Sequence, residues 1–140
     1  MAKHNTLKKI VVATVMIGTA MHVANEFIMK IATSKDLLKK DEGQYYSFKY
    51  GNVFYKVSGE GKPVLLIHDI NECSSGMEWF YLEKKLSKTH KVYTIDLLGC
   101  GRSDKPKLGY NTFLYVQLIT DFIRDVIGEP VDIIATGKSV

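Results

Sequence analysis

The sequence predicts an α/β protein: a β-hairpin, then a parallel βαβαβ unit, the whole preceded by an apolar helix. Two observations carry this. Three continuous apolar runs, VLLIH, KVYTIDLLG and VDIIATG, are each bounded by turn residues, as strands covered on both faces are. Two segments with apolar residues at helical spacing alternate with them. That alternation predicts parallel strands joined by right-handed crossovers.

The elements follow in order. QYYSFKY and NVFYKVSG are short, aromatic and β-branched, broken at Gly51-Asn52, which reads as a hairpin. GEGKP is a turn. Val64 to His68 is the third strand, followed by the polar loop DINECSSG. MEWFYLEKKLSK places Met77, Trp79, Phe80, Leu82 and Leu86 among Glu and Lys, a helix covering the sheet. KVYTIDLLG is the fourth strand, running into a glycine turn. Tyr110 to Ile127 repeats apolar residues at helical spacing, and Gly128 closes it. VDIIATG is the fifth strand, read as buried along its length yet left at an uncovered sheet edge.

The N-terminal region is different. Lys3, Lys8 and Lys9 precede Ile10 to Ala24, fifteen residues without Asp, Glu, Lys or Arg. A bilayer core takes about 20 apolar residues of helix, which Ile10 to Met29 would supply. An uncleaved signal anchor is one reading. A cleaved signal peptide is another, with Gly18-Thr19-Ala20 as small residues near a cleavage site. A helix packed on its own domain is the third. Under the first two the N-terminus is cytoplasmic and the domain extracytoplasmic or secreted. Residues 1–32 are thus assigned to this helix, 33–43 to a charged linker and 44–140 to the α/β domain.

Charge excludes one class of partner. Residues 1–40 hold seven Lys against Glu26 and Asp36, whereas the remaining 100 residues hold 12 basic and 13 acidic side chains. The domain is nearly neutral and has no basic stripe, so no nucleic-acid partner is expected. The membrane, through the N-terminal helix, and a small-molecule substrate are the expected partners. Cys73 and Cys100 match no metal or redox spacing, and four scattered His form no ligand cluster. No metal and no cofactor are expected.

Three segments fall at the ends of the three apolar strands: LLIHD, DLLGCGRSDKP (Asp96 to Pro106) and ATGKS. Together they resemble the N-terminal half of the α/β-hydrolase fold, over roughly residues 45–140. The pattern Asp-x-x-Gly-x-Gly-x-Ser-Asp-x-Pro is similar to that of lipase-like esterases, epoxide hydrolases and haloalkane dehalogenases. Gly137-Lys138-Ser139-Val140 fills four positions of the nucleophile elbow Gly-x-Ser-x-Gly. The resemblance implies Ser139 as nucleophile. It implies an oxyanion hole from the backbone N–H groups of Val140 and Ile70. His68, Gly99, Gly101, Ser103, Asp104 and Gly137 are implied as structural parts of the motif. The sequence departs from the family where Asp69 follows His68 in place of glycine, which puts a carboxylate beside a site meant for negative charge.

In this fold the triad acid and histidine follow the serine, and only Val140 follows Ser139 here. The resemblance therefore implies the N-terminal portion of a membrane-anchored serine hydrolase acting on esters or related acyl bonds, inactive as this chain alone. The alternative is a catalytically inactive hydrolase-like binding module. A nucleotide-binding fold is the third reading, against which Gly99-Cys100-Gly101 lacks the third glycine of a phosphate turn. Trp79 is assigned to the core, and Asp121 and Asp125 to a solvated helix face.

Overall fold

The computed structural model describes residues 2–34, 42–71 and 73–139. The chain divides into two units, Met1–Lys39 and Lys40–Val140. The first holds helix α1, Ala2–Ser34. The stretch read as a membrane span lies inside it, but among the described residues no helix is long and apolar enough to cross a membrane. Of the linker read at 33–43, residues 33 and 34 end α1, and 35–41 lie outside the described residues.

The second unit is a five-stranded sheet: β1 Gln44–Phe48, β2 Gly51–Ser58, β3 Lys62–Ile67, β4 His90–Ile95 and β5 Asp132–Ala135. Their order across the sheet is β1-β2-β4-β3-β5. The hairpin pairs antiparallel, Gln44 opposite Tyr55 and Phe48 opposite Gly51. β2 also runs antiparallel to β4. As the alternation of strand and helix predicts, β3 lies parallel to both β4 and β5, with Val64 opposite Val92 and Asp132.

The continuous apolar strands are explained by helices on both faces. Alternate residues of a strand point to opposite faces. Val64 and Leu66 of β3, with Val92 of β4, pack on Trp79, Leu82 and Leu86. Leu65 and Ile67, with Tyr93 and Ile95, pack on Leu118 and Phe122 of helix α3, Thr112–Phe122. Leu65, Leu66, Val92 and Ile95 are fully buried. At about 25 cal/mol per Å² of apolar surface, each such side chain contributes about 1.5–3 kcal/mol.

Two helix starts differ from the sequence reading, while the helical segment after β4 ends at Ile127 and is closed by Gly128 as read. The helix read over MEWFYLEKKLSK begins as a 3₁₀ turn, Gly76–Trp79, and continues as α2, Phe80–Leu86. α3 starts at Thr112 rather than Tyr110, because extended Asn111 caps it by accepting the Leu114 N–H at 2.9 Å. It ends in a wide turn over Ile123–Ile127, closed by the Gly128 N–H donating to the Ile123 carbonyl at 2.7 Å, with Gly128 left-handed at φ 73°. β5 corrects the expectation of burial: Ile133 and Ile134 are 50% and 36% exposed. Among the described residues it is paired on one side only, at the sheet edge.

Candidate functional site at the carboxyl ends of the parallel strands

In open α/β sheets ligands bind beyond the carboxyl ends of the strands. Here three short segments leave those ends together: His68 to Asn71 after β3, Asp96 to Pro106 after β4, and Thr136 to Ser139 after β5.

The middle segment is a clamp. Asp96 is buried, and its carboxylate accepts the Gly76 N–H at 2.6 Å and the Arg102 N–H at 2.8 Å. Ser103 is also buried; its hydroxyl donates to the Asp96 carbonyl and accepts the Phe54 N–H at 2.9 Å. Asp104 accepts the Asn52 N–H at 2.7 Å. Ser103 and Asp104 thus hold the backbone of β2 against the end of β4. Gly101 is left-handed, φ +47°, and a Cβ there would lie 2.2 Å from the Asp96 carboxylate. The glycine is required both by its conformation and by that contact. These contacts give Gly101, Ser103 and Asp104 a part in holding the turn together.

His68 is buried in the same manner. Its Nε2 accepts the Leu97 N–H at 2.9 Å, so Nδ1 carries the proton and donates to the Asp69 carbonyl at 2.7 Å. Both ring nitrogens are engaged, tying β3 to β4. Trp79 belongs to the core cluster. Cys73 is an exposed free thiol; Cys100 is buried, its thiol donating to the Asn71 carbonyl at 3.3 Å.

Ser139 stands at the carboxyl end of β5, past Gly137, which is left-handed at φ +61°. Its hydroxyl donates to the His68 carbonyl. Val140 lies outside the described residues. The Ile70 N–H, read as the other oxyanion donor, is not free: it donates to Asp69 Oδ1 at 2.8 Å. The Lys138 N–H donates to the same oxygen at 2.7 Å, and Asn71 Nδ2 reaches Oδ2 at 3.2 Å. The Asp69 carboxyl is held below the usual carboxylate range, chiefly by the Lys138 N–H, then by Asn71. The Asp69 carboxylate therefore bridges the loop after β3 to the turn after β5.

Two roles go beyond the sequence reading. Asp96 opens the motif after the fourth strand but carries no role of its own there; in the structure it is the buried acceptor of the turn. Asp121 and Asp125 are more than a solvated face. Arg124 bridges them at 2.8 and 2.7 Å, and the Tyr46 hydroxyl donates to Asp125 at 2.8 Å, joining β1 to the turn after α3.

No family model matches the chain. Among curated proteins, an uncharacterized protein of Mycobacterium tuberculosis is 35% identical over 69 residues, covering 49% of this chain and 20% of the relative. A 2-hydroxy-6-oxo-6-(2'-aminophenyl)hexa-2,4-dienoic acid hydrolase of Metapseudomonas resinovorans is 31% identical over 71 residues, covering 50% and 24%. Among solved structures, an α/β-hydrolase fold protein from Burkholderia ambifaria superposes with TM-score 0.63 at 24% identity, over 68% of this chain and 34% of that one. A meta-cleavage product hydrolase from Pseudomonas fluorescens gives 0.60 at 28% identity, over 65% and 34%. The chain thus spans a fifth to a third of the proteins it matches. With the strand order, the Asp96 clamp and the turn at Gly137 on the same ends of the sheet, the second unit holds part of the α/β-hydrolase fold.

Proposed function

We propose that this chain supplies the N-terminal part of a serine-type α/β-hydrolase that cleaves an ester or related acyl bond of a small-molecule substrate. One observation carries the reading. Ser139 follows a left-handed glycine at the carboxyl end of a parallel strand, next to the loop after β3. That is the placement an elbow nucleophile needs. In the reaction Ser139 Oγ would bond to the acyl carbon while a general base takes its proton and the alcohol or amine leaves. His68 is unsuited as that base, since both its ring nitrogens are hydrogen-bonded. The base and its orienting acid would come from segments C-terminal to Ser139. The Ser139 hydroxyl would also have to leave the His68 carbonyl, by rotation about χ1.

The second reading is a hydrolase-like binding module without catalysis. Its support is Asp69, whose carboxylate accepts the N–H that an oxyanion hole would use. We further propose that α1 associates with a lipid bilayer. Its Val12, Val15, Met16, Ile17, Met21 and Phe27 are all more than half exposed, a composition suited to an apolar phase.

The test is the native protein from the membrane fraction of its source cells, treated with a fluorophosphonate and measured by intact mass and peptide mapping. An adduct on Ser139, in a protein well above 15.8 kDa, supports the hydrolase. An unlabelled Ser139 in a folded protein of that size refutes it in favour of the binding module.

A further inference from the structure

Asp69 follows His68 where the resemblance implies glycine, and the structure shows what the side chain does. Its Oδ1 takes two backbone N–H groups from different loops, Ile70 at 2.8 Å and Lys138 at 2.7 Å. Its Oδ2 takes Asn71 Nδ2 at 3.2 Å. The turn after β5 is cut to fit it. A Cβ on Gly137 would lie 2.1 Å from Oδ1 and 2.8 Å from Oδ2. Two convergent N–H donors and a side-chain amide make a receptor for a carboxylate or an oxyanion. The protein fills that receptor with its own residue. Ser139, the next residue but one after Gly137, is turned away at the same time, donating to the His68 carbonyl.

We infer that Asp69 is an internal anion which occupies the Ile70 and Lys138 N–H pair and so keeps an external carboxylate or oxyanion out. The contact is autoinhibitory, and residue 69 decides whether this end of the sheet receives an anionic group. Removing the side chain, as in Asp69→Gly, opens the receptor without touching Ser139. The catalytic consequence rests on the reading of Ser139 as a nucleophile; the occupancy of the two N–H groups does not.

The experiment follows the backbone amide resonances of Ile70 and Lys138 in the full ¹⁵N-labelled chain during titration with acetate. In Asp69→Gly both resonances are expected to move together and saturate, with an apparent affinity at least about tenfold tighter than in the wild type, as loss of one competing charge-assisted hydrogen bond would give. The inference is overturned if the wild type responds as strongly. It is also overturned if Asp69→Gly keeps a native spectrum and neither amide responds. Deuterium exchange of the unmodified chain gives a readout that needs no variant. The Lys138 amide should exchange at least about tenfold more slowly than an unprotected amide, since a charge-assisted hydrogen bond must open first; exchange at the unprotected rate overturns the inference. Neither readout depends on Ser139 reacting with a fluorophosphonate, so a failed labelling would refute the hydrolase reading and leave this one standing.

Discussion

Replacing Ser103 by alanine removes a hydroxyl that serves two buried backbone groups at once. In the native chain it donates to the Asp96 carbonyl and accepts the Phe54 N–H at 2.9 Å, and Ser103 is only 2% exposed. Alanine fits the space but leaves both groups in a site too closed for water to replace the hydroxyl. A buried polar group left without a partner costs about 1–3 kcal/mol. Two of them give a loss of about 2–6 kcal/mol for Ser103→Ala. With a urea m value of about 2 kcal/mol/M, the unfolding midpoint should fall by about 1–3 M. Trp79 is the chain's single tryptophan and is buried against β3 and β4, so its fluorescence reports this transition directly. Asp104→Ala is the control. It removes one acceptor from the Asn52 N–H, but Asp104 is exposed, and water can replace the carboxylate. Its midpoint shift should be clearly smaller. If Ser103→Ala moves the midpoint no more than Asp104→Ala, burial is not what gives the Ser103 bonds their weight, and the clamp reading fails.

Three further outcomes are expected. His68→Leu strands the Leu97 N–H and the Asp69 carbonyl, and should destabilise by about 2–4 kcal/mol; His68→Gln should restore part of it, and a fully stable His68→Leu would contradict the buried double bond. The lowered Asp69 carboxyl stabilises the fold above the unfolded value of about 3.9. That contribution is lost as pH falls through the lower folded value, so the urea midpoints of wild type and Asp69→Asn should keep their gap from pH 7 to about 4 and converge only below about 4; a gap that widens on acidification would be the wrong sign. Tyr46 is pushed up to about 12 by burial and then by its bond to Asp125, and Tyr115 to about 12 by burial and then Cys100. Both phenols should be the last of the eight tyrosines to ionise in an alkaline absorbance titration. Their share of stability is complete below about 10 and is lost as pH rises toward the folded values; ionisation of all eight near 10 would contradict the packing.

The order of elements was legible before any coordinates. Three apolar runs alternating with two helical segments specify a parallel sheet covered on both faces, because only a strand buried twice can dispense with polar alternation. The motif after the fourth strand and the serine after the fifth were legible as well, since glycine at Gly101 and Gly137 announces turns that other residues resist. Element ends were less so: Asn111 and Ser75 act through hydrogen bonds to residues two or three further on, and a sequence pattern leaves those ends within a residue or two.

Tertiary structure alone decided what Asp69 does. Its partner Lys138 is 69 positions away in the chain, and nothing local fixes whether a carboxylate at that point turns toward the site or away from it. For β5 the sequence already places the strand at a sheet edge; what the structure adds is that, among the described residues, Ile133 and Ile134 are 50% and 36% exposed there. Composition and spacing determine which residues form strands and turns; only the packing of distant segments decides which hydrogen-bond donors at the ends of those strands are already taken.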